Sequence, residues 1–445
     1  MERRAAIYRT IWRWHFYAAL FVIPFILVLS LTGAIYLFKP QIDRWEESAF
    51  QGAPTGQAVS PNAQLAAAMA VYPGEQFHSY RLPERNGDAA ALHFGLADGS
   101  MRDVFVASDG KVMGSLKEGD RWIEFVREIH GELLAGKWGA YLVELAACWA
   151  IVMVLSGLYL WWPRGRGLAG VVWPRLAGGK SVFWRDLHAA TGFWVSGLAL
   201  ILLVTALPWA GVWGDAFNVI RTEMGWTKER PDWKIGSGEH AEHDHAEMLR
   251  QQAAGVPTAG LADIVAKAKA EPGLPYPVLV KPPGAPDRAG ATDMVWTVKT
   301  DAQNRPLNVT ITYDMATAKE LSRKGFDQKH PIDKAIGYGI AWHEGQLFGW
   351  INQLVGVLTA LALVTLAVSG FVLWRRRRPE GLLGAPPLPP IPVRISGVVA
   401  ITFILAALLP LLALSLIVLW IFDRWVLPRL PRVAEWLDIR TIQAA

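Results

Sequence analysis

The apolar positions of the chain collect into five runs, roughly Trp14–Phe38, Gly139–Trp162, Leu187–Trp209, Phe348–Trp374 and Ile395–Phe422. Each is close to the ~20 apolar residues that a helix needs to cross a bilayer. The polar positions between them form two kinds of connection. The short ones are basic. Residues 1–14 carry four arginines against one acid, 163–187 five basic residues against one acid, and 375–395 five arginines against one acid. The long ones are net acidic, with 8 basic to 13 acidic residues over 40–130 and 16 to 18 over 210–345. Basic connections stay on the cytoplasmic face. The pattern therefore puts the N-terminus and the short connections inside and both long segments outside. A count of crossings puts the C-terminus outside, although its tail holds four arginines against three acids. The first run is too long for a signal-peptide core and has no small-residue cleavage site, so it reads as a retained helix.

Within the long segments the period changes from helix to strand. The first opens on a Pro/Gly/Gln linker, Gln51–Pro61, followed by a helix over Asn62–Val71. Alternation then predicts strands at Ala90–Leu96, Arg102–Ser108 and Lys111–Leu116, with Asp109-Gly110 as the tight turn. The second segment repeats the scheme: a helix at Leu261–Ala270, strands at Val278–Lys281, Val295–Thr300 and Leu307–Tyr313, and a turn at Asp314-Met315-Ala316-Thr317 into Lys319-Glu320-Leu321. A polar, histidine-rich tract, Gly236–His245, reads as an insertion.

The repeat reaches into the membrane runs. His130 and His343 each stand before an apolar run, and from each the pair Ser-Gly follows at offsets 26 and 27 (Ser156-Gly157, Ser369-Gly370) and a tryptophan at offset 31 (Trp161, Trp374). His15 and His188 each follow a Trp-Arg pair, and a threonine follows each after 17 residues (Thr32, Thr205). The unit is thus inner histidine, helix, outer segment, outer histidine, returning helix, and it occurs twice. Two units in one orientation are related by an axis along the membrane normal. This arrangement sets His15 opposite His188 near the inner surface and His130 opposite His343 near the outer one. About 18 helical residues separate the levels, or about 27 Å.

Composition narrows the chemistry. The chain is 52% hydrophobic with 22 tryptophans, which fits a lipid-facing protein with aromatic belts. Its single cysteine, Cys148, excludes disulfide scaffolds, Cys-ligated iron–sulfur clusters and Cys zinc sites. A net charge of +5 gathered at membrane edges is a topology signal, not a nucleic-acid footprint. The cytoplasmic connections are too short for a flavin or nicotinamide domain, and no dinucleotide, P-loop or serine-hydrolase motif occurs in the sequence.

The Trp-Arg-Trp-His15 start, the strand–Asp314-x-x-Thr317–strand segment, the two histidine-led runs and the Ser-Gly…Leu-Trp endings followed by arginines resemble the PepSY-associated transmembrane family of bacterial inner-membrane proteins. The likeness covers about residues 8–378. It implies iron-regulated membrane proteins and ferric-siderophore reductases that carry b-type haem. The repeat points the same way. Two imidazoles are a poor site for a bare divalent ion, whereas two axial histidines complete a haem. Repeat and resemblance together imply two haem b groups, one held by His15 and His188 and one by His130 and His343.

The expected fold is a mainly α membrane protein: two parallel repeats of helix, periplasmic α+β PepSY-like domain and helix, forming a four-helix core, plus a fifth helix. The divisions are 1–38 (helix), 39–129 (outer domain), 130–162 (helix led by His130), 163–186 (inner loop), 187–209 (helix), 210–342 (outer domain), 343–374 (helix led by His343), 375–394 (linker), 395–422 (helix) and 423–445 (tail). The expected activity is a membrane ferric reductase moving electrons outward to a ferric siderophore or other ferric chelate. Its donor is another protein, a quinol or a diffusible reductant, and membrane lipid surrounds it. Two other classes compete: a non-catalytic anchored PepSY interaction protein, which predicts no pigment, and a small-molecule transporter, which predicts broken helices and mid-membrane charge. Several residues keep two readings. Arg13, Arg164 and Arg185 are haem-propionate partners or topology anchors. Glu144, whose repeat counterpart is Val357, serves proton transfer or haem tuning, or reaches interfacial water. Gly33, Gly157 and Gly370 admit a macrocycle or pack helices. His240, His243 and His245 collect a transition metal or are only a polar tract. His78, His93 and His330 have no partner evident in the sequence.

Overall fold

A computed structural model describes residues 2–52, 56–163, 169–176, 178–226, 259–285, 293–387, 389 and 396–438. The chain divides into two compact units. The first, Met1–Ile35 with Glu128–Val219 and Leu354–Ala445, is helical; the second, Tyr36–Arg127 with Ile220–Gln353, is built on a sheet. The helices in chain order are α1 (Glu2–Tyr36), α2 (Lys39–Glu46), α3 (Pro61–Val71), α4 (Trp122–Glu132), α5 (Gly136–Trp161), α6 (Gly179–Ala206), α7 (Gly211–Glu223), α8 (Leu261–Ala270), α9 (Pro331–His343), α10 (Trp350–Arg377), α11 (Ser396–Leu408), α12 (Pro410–Ile421) and α13 (Pro431–Trp436). Among the described residues five stretches are long and apolar enough to cross a membrane: Arg4–Tyr36, Gly136–Trp161, Gly179–Trp209, Trp350–Arg377 and Pro410–Arg429.

The helical unit departs from expectation in two places. His130 does not head the second spanning helix. It sits in the last turn of α4, an amphipathic helix that ends before α5 begins. Leu133, Leu134 and Gly136 adopt left-handed backbone between the two, and Leu134 N–H closes the end of α4 onto Glu128 O. The corresponding break in the sheet unit follows α9, where Gly345 and Gly349 are left-handed and Gln346 N–H returns to Ala341 O. Apolar residues run across the first break, so hydropathy hides it.

The second departure concerns the C-terminus. The fifth run is not one helix. Pro410 removes a backbone donor, Leu409 turns extended, and α11 gives way to α12. The junction packs Leu409 and Leu412 against Cys148, Ile151 and Leu207, and Trp213 Nε1 donates to Leu408 O at 3.0 Å. Farther on, Trp149 Nε1 donates to Ser415 Oγ. The tail then reaches the opposite end of the bundle, where Tyr17 Oη donates to Leu437 O at 2.6 Å and Arg13 holds Asp438 O. The segment therefore goes in and comes back. The C-terminal residues lie at the end where α1 starts, not at the far end. Glu144 is also settled by packing. Its carboxylate accepts the N–H groups of Val212 and Trp213 at 2.9 and 3.0 Å and caps the start of α7.

In the sheet unit the strands are β1 (Gln76–Arg81), β2 (Ala90–Gly95), β3 (Met101–Val106), β4 (Val112–Lys117), β5 (Val278–Lys281), β6 (Trp296–Thr300), β7 (Val309–Tyr313) and β8 (Glu320–Gly325). They form one antiparallel sheet in the order β4-β3-β2-β1-β5-β6-β7-β8. The long segments, expected as two separate domains, are thus fused. β1 pairs with β5 through Tyr80–Val280 and Arg81–Leu279, so each meander covers the other's inner edge. One apolar core spans the join, including Tyr80, Leu92, Val280, Val298 and Ile311, with α3 and α8 contributing Ala68, Ile264 and Val265. The Asp314 turn forms as expected, its carboxylate accepting Ala316 N–H, Thr317 N–H and the Thr317 hydroxyl.

The opposite face of β1–β3 carries an ionic network. Asp103 bonds His93 and Arg121, Arg121 bonds Glu47 at 2.9 Å, and Glu47 bonds Arg81 at 2.6 Å. Burial acts to raise the Asp103 carboxyl, but the charges of His93, Arg121 and Arg81 outweigh it and hold the carboxyl well below its ordinary range. Asp103 therefore stabilises the fold above its unfolded pKa and loses that contribution as pH falls through the lower folded value.

Two outcomes are expected. Tags fused to the two termini will be accessible from the same membrane face; accessibility from opposite faces would refute the returning C-terminal segment. Asp103→Asn will destabilise the sheet unit by about 3 kcal/mol, since it removes the buried charge that His93 and Arg121 share. Thermal melting at neutral pH measures this, and the gap to wild type should close only in strong acid.

Candidate functional site

His15, His188 and His130 each meet a hydroxyl on a neighbouring helix. His15 of α1 places Nδ1 2.9 Å from Ser156 Oγ of α5. His188 of α6 places Nδ1 3.0 Å from Ser369 Oγ of α10. His130 of α4 places Nδ1 3.0 Å from Thr32 Oγ1 of α1. The hydroxyl protons are already committed. Ser156 donates to Met153 O and Ser369 to Leu366 O, each at 3.1 Å, and Thr32 donates to Val28 O at 2.8 Å. The hydroxyl oxygens are therefore acceptors, and each ring must be the donor at Nδ1. The tautomer follows from this network rather than from a visible hydrogen. For His15 and His188 it leaves Nε2 as the nitrogen not engaged by the hydroxyl.

Glycine makes the seat. A Cβ on Gly157 would stand 3.2 Å from His15 Cε1, one on Gly370 3.3 Å from His188 Cε1, and one on Gly33 3.0 Å from His130 Cε1. Each ring lies against the backbone of the helix that supplies its hydroxyl. The signal in the sequence is the dipeptide hydroxyl-Gly at constant offset: Ser156-Gly157, Ser369-Gly370, Thr32-Gly33. The constant offset marks the serines as part of the repeat but names no partner for them. The glycines thus let a neighbouring helix approach, with the edge of its imidazole against the backbone. The fourth dipeptide, Thr205-Ala206, departs from the pattern. Thr205 makes the same return bond, to Ile201 O at 2.7 Å. His343 belongs to the sheet unit, where it ends α9 half-buried.

Burial pushes the His130 imidazole down to about 4, so it is neutral at pH 7. A neutral imidazole is the state that binds a metal through a ring nitrogen. Among the described residues no group of three or more His, Cys, Asp or Glu is placed to hold a bare metal ion. The donor set at the inner level suits a group that brings its own equatorial ligands, and haem is such a group.

The remaining candidates have other work. Arg13 is buried and bonds Pro386 O, Asp438 O and Tyr17 Oη, so it fastens the tail. Arg185 and Arg175 both pair with the fully buried Asp186. Trp161 donates to Val171 O and Trp374 to Leu383 O, each pinning the loop that follows its helix. His93 belongs to the Asp103 network, and His330 caps α9 by accepting Ile332 N–H. His78 lies on β1. Arg164 and the His240, His243 and His245 tract lie outside the described residues.

Comparison with known proteins gives one family. The family model for the PepSY-associated TM region matches residues 12–377. No curated protein matches the chain.

The glycine seats make a testable claim. Gly33→Ala will press its methyl on His130 and destabilise the protein by about 1–3 kcal/mol, read as a lowered melting temperature. An unchanged melting temperature would show that the ring does not rest there.

Proposed function

The chain belongs to the PepSY-associated transmembrane family, and on that premise we propose that this multi-pass membrane protein is a haem b oxidoreductase of the bacterial inner membrane. It carries electrons from the cytoplasmic side to a ferric chelate outside, most simply a ferric siderophore. The observation that carries this reading is the inner histidine pair. His15 and His188 come from two helices, each held through Nδ1, which leaves Nε2 as the nitrogen that would meet a metal. Bound haem would supply reversible one-electron transfer. His15 and His188 would hold one haem, and His130 and His343 would hold a second. The second pairing is taken from the equivalent places of the two histidines in the sequence repeat. Orientation follows the charge pattern: basic connections in, acidic segments out.

No residue needs to act as a nucleophile or a base in this scheme. The chain's work is to hold the imidazoles neutral, orient them and exclude water from the space between α1, α5, α6 and α10. At the outer side the chelated Fe(III) takes one electron and becomes Fe(II), which hard oxygen donors bind less well.

Protein purified after haem-sufficient expression will show a b-type absorption spectrum that sharpens on dithionite reduction. His15→Ala and His130→Ala will each remove about one of two haems. Pre-reduced protein will reoxidise when given a ferric chelate. A colourless wild-type preparation would favour the anchored interaction protein instead, and a coloured one that ferric chelates leave reduced would remove the substrate assignment.

A further inference from the structure

We propose that Ser156 and Ser369 are positioning residues that set the reduction potential of the inner site by accepting the Nδ1–H of its two axial imidazoles. This rests on the haem reading above and names residues that the reading does not require. Four observations converge. Both hydroxyl oxygens lie 2.9–3.0 Å from Nδ1. Both hydroxyl protons are spent on a helix carbonyl three residues back, so neither serine can donate to the ring. Each serine stands 26 residues after a repeat histidine, His130 or His343, so the two bonds occupy equivalent positions of the repeat. The adjacent Gly157 and Gly370 seat the ring edge and oppose its rotation away from the serine.

The physical consequence is directional. An imidazole whose N–H is drawn toward an acceptor is a more electron-rich ligand, and it favours the ferric over the ferrous state. Ser369 is fully buried, so the bond acts in a low dielectric where it is stronger. A carboxylate in its place would pull harder but would put a charge in the bundle at a cost of several kcal/mol. A hydroxyl gives a moderate pull with no charge. Its hydrogen-bonding capacity is met by two partners, one on each side.

The test uses the full-length, haem-loaded protein. Ser156→Ala is expected to keep both haems and to raise the potential of one of them. The expected size is about tenfold in its reduced-to-oxidised ratio at fixed poise, or 59 mV for a one-electron couple. Ser156→Thr, which keeps the hydroxyl, restores the wild-type value. The other haem stays where it was. Ring-nitrogen NMR on haem-free protein gives an independent readout: wild type shows the Nδ1–H tautomer at His15, and Ser156→Ala shows a mixture. A potential and a tautomer that Ser156→Ala leaves unchanged would overturn the proposal while the haem reading stands. Wild type without haem would overturn the potential-setting role together with the haem reading. If Ser156→Ala does not insert, Ser369→Ala makes the same test at the partner ring.

Discussion

An imidazole buried among apolar helices carries one N–H that must be accepted. In water it is always satisfied; inside a bundle an unmet donor costs about 1–3 kcal/mol. Helix carbonyls offer little, because most are already taken by the helix ladder. The chain's answer is a serine or threonine whose own proton returns to a carbonyl three or four residues back and whose oxygen then faces the ring. That one requirement fixes much else. It pairs α1 with α5 and α6 with α10, because the ring and its hydroxyl sit on different helices. It places glycine next to the hydroxyl residue, because the ring must lie close for the bond to form. It also fixes which nitrogen is left over, and that nitrogen is the one the proposed chemistry uses.

The same economy shows at the edges. Glu144 is a carboxylate in an apolar helix, yet its oxygens are spent on the open N–H groups at the start of α7. It is a cap supplied by a neighbouring helix. Trp161 and Trp374 look like belt residues but each donates to a carbonyl in the loop behind it. In the sheet unit the two meanders join through β1 and β5 rather than leaving two polar edges open. In each case a polar group that hydropathy would class as a lapse has a partner from elsewhere in the chain.

How much of this could be read from the sequence depends on how local the cause is. The spanning helices, α8 and most strands were legible, because period and apolar length are local properties. Strand β1 was not, since Gln76-Phe77-His78-Ser79-Tyr80-Arg81 alternates weakly and owes its place to partners on both sides. The break between α4 and α5 was hidden because Leu133 and Leu134 continue the apolar run while their backbone leaves it. The fusion of the two outer segments depends on a pairing nearly 200 positions apart, which no local pattern encodes. The four histidines were legible through the repeat, and so were the serines and glycines as repeated letters. Their role was not, because offset shows equivalence and only the fold shows that Ser156 meets His15, 141 positions away.

The C-terminal segment shows what lies beyond the shared framework. The family match ends at residue 377, and the segment after it folds back along α5 and returns to the start of α1. It takes up Arg13, two residues before His15, with bonds to Pro386 and Asp438, while Arg377 lies over Trp12 and Phe16 on the adjoining face. The turn of α1 that bears the inner histidine is thus held by three neighbours at once: Ser156 on one face, Arg377 on a second and the tail on a third. A well-placed hydroxyl orients a ring only if the ring's own helix cannot slide or rotate. These three contacts restrain that turn of α1 and keep the 2.9 Å bond between His15 and Ser156 in place, and part of the restraint comes from a segment outside the matched region.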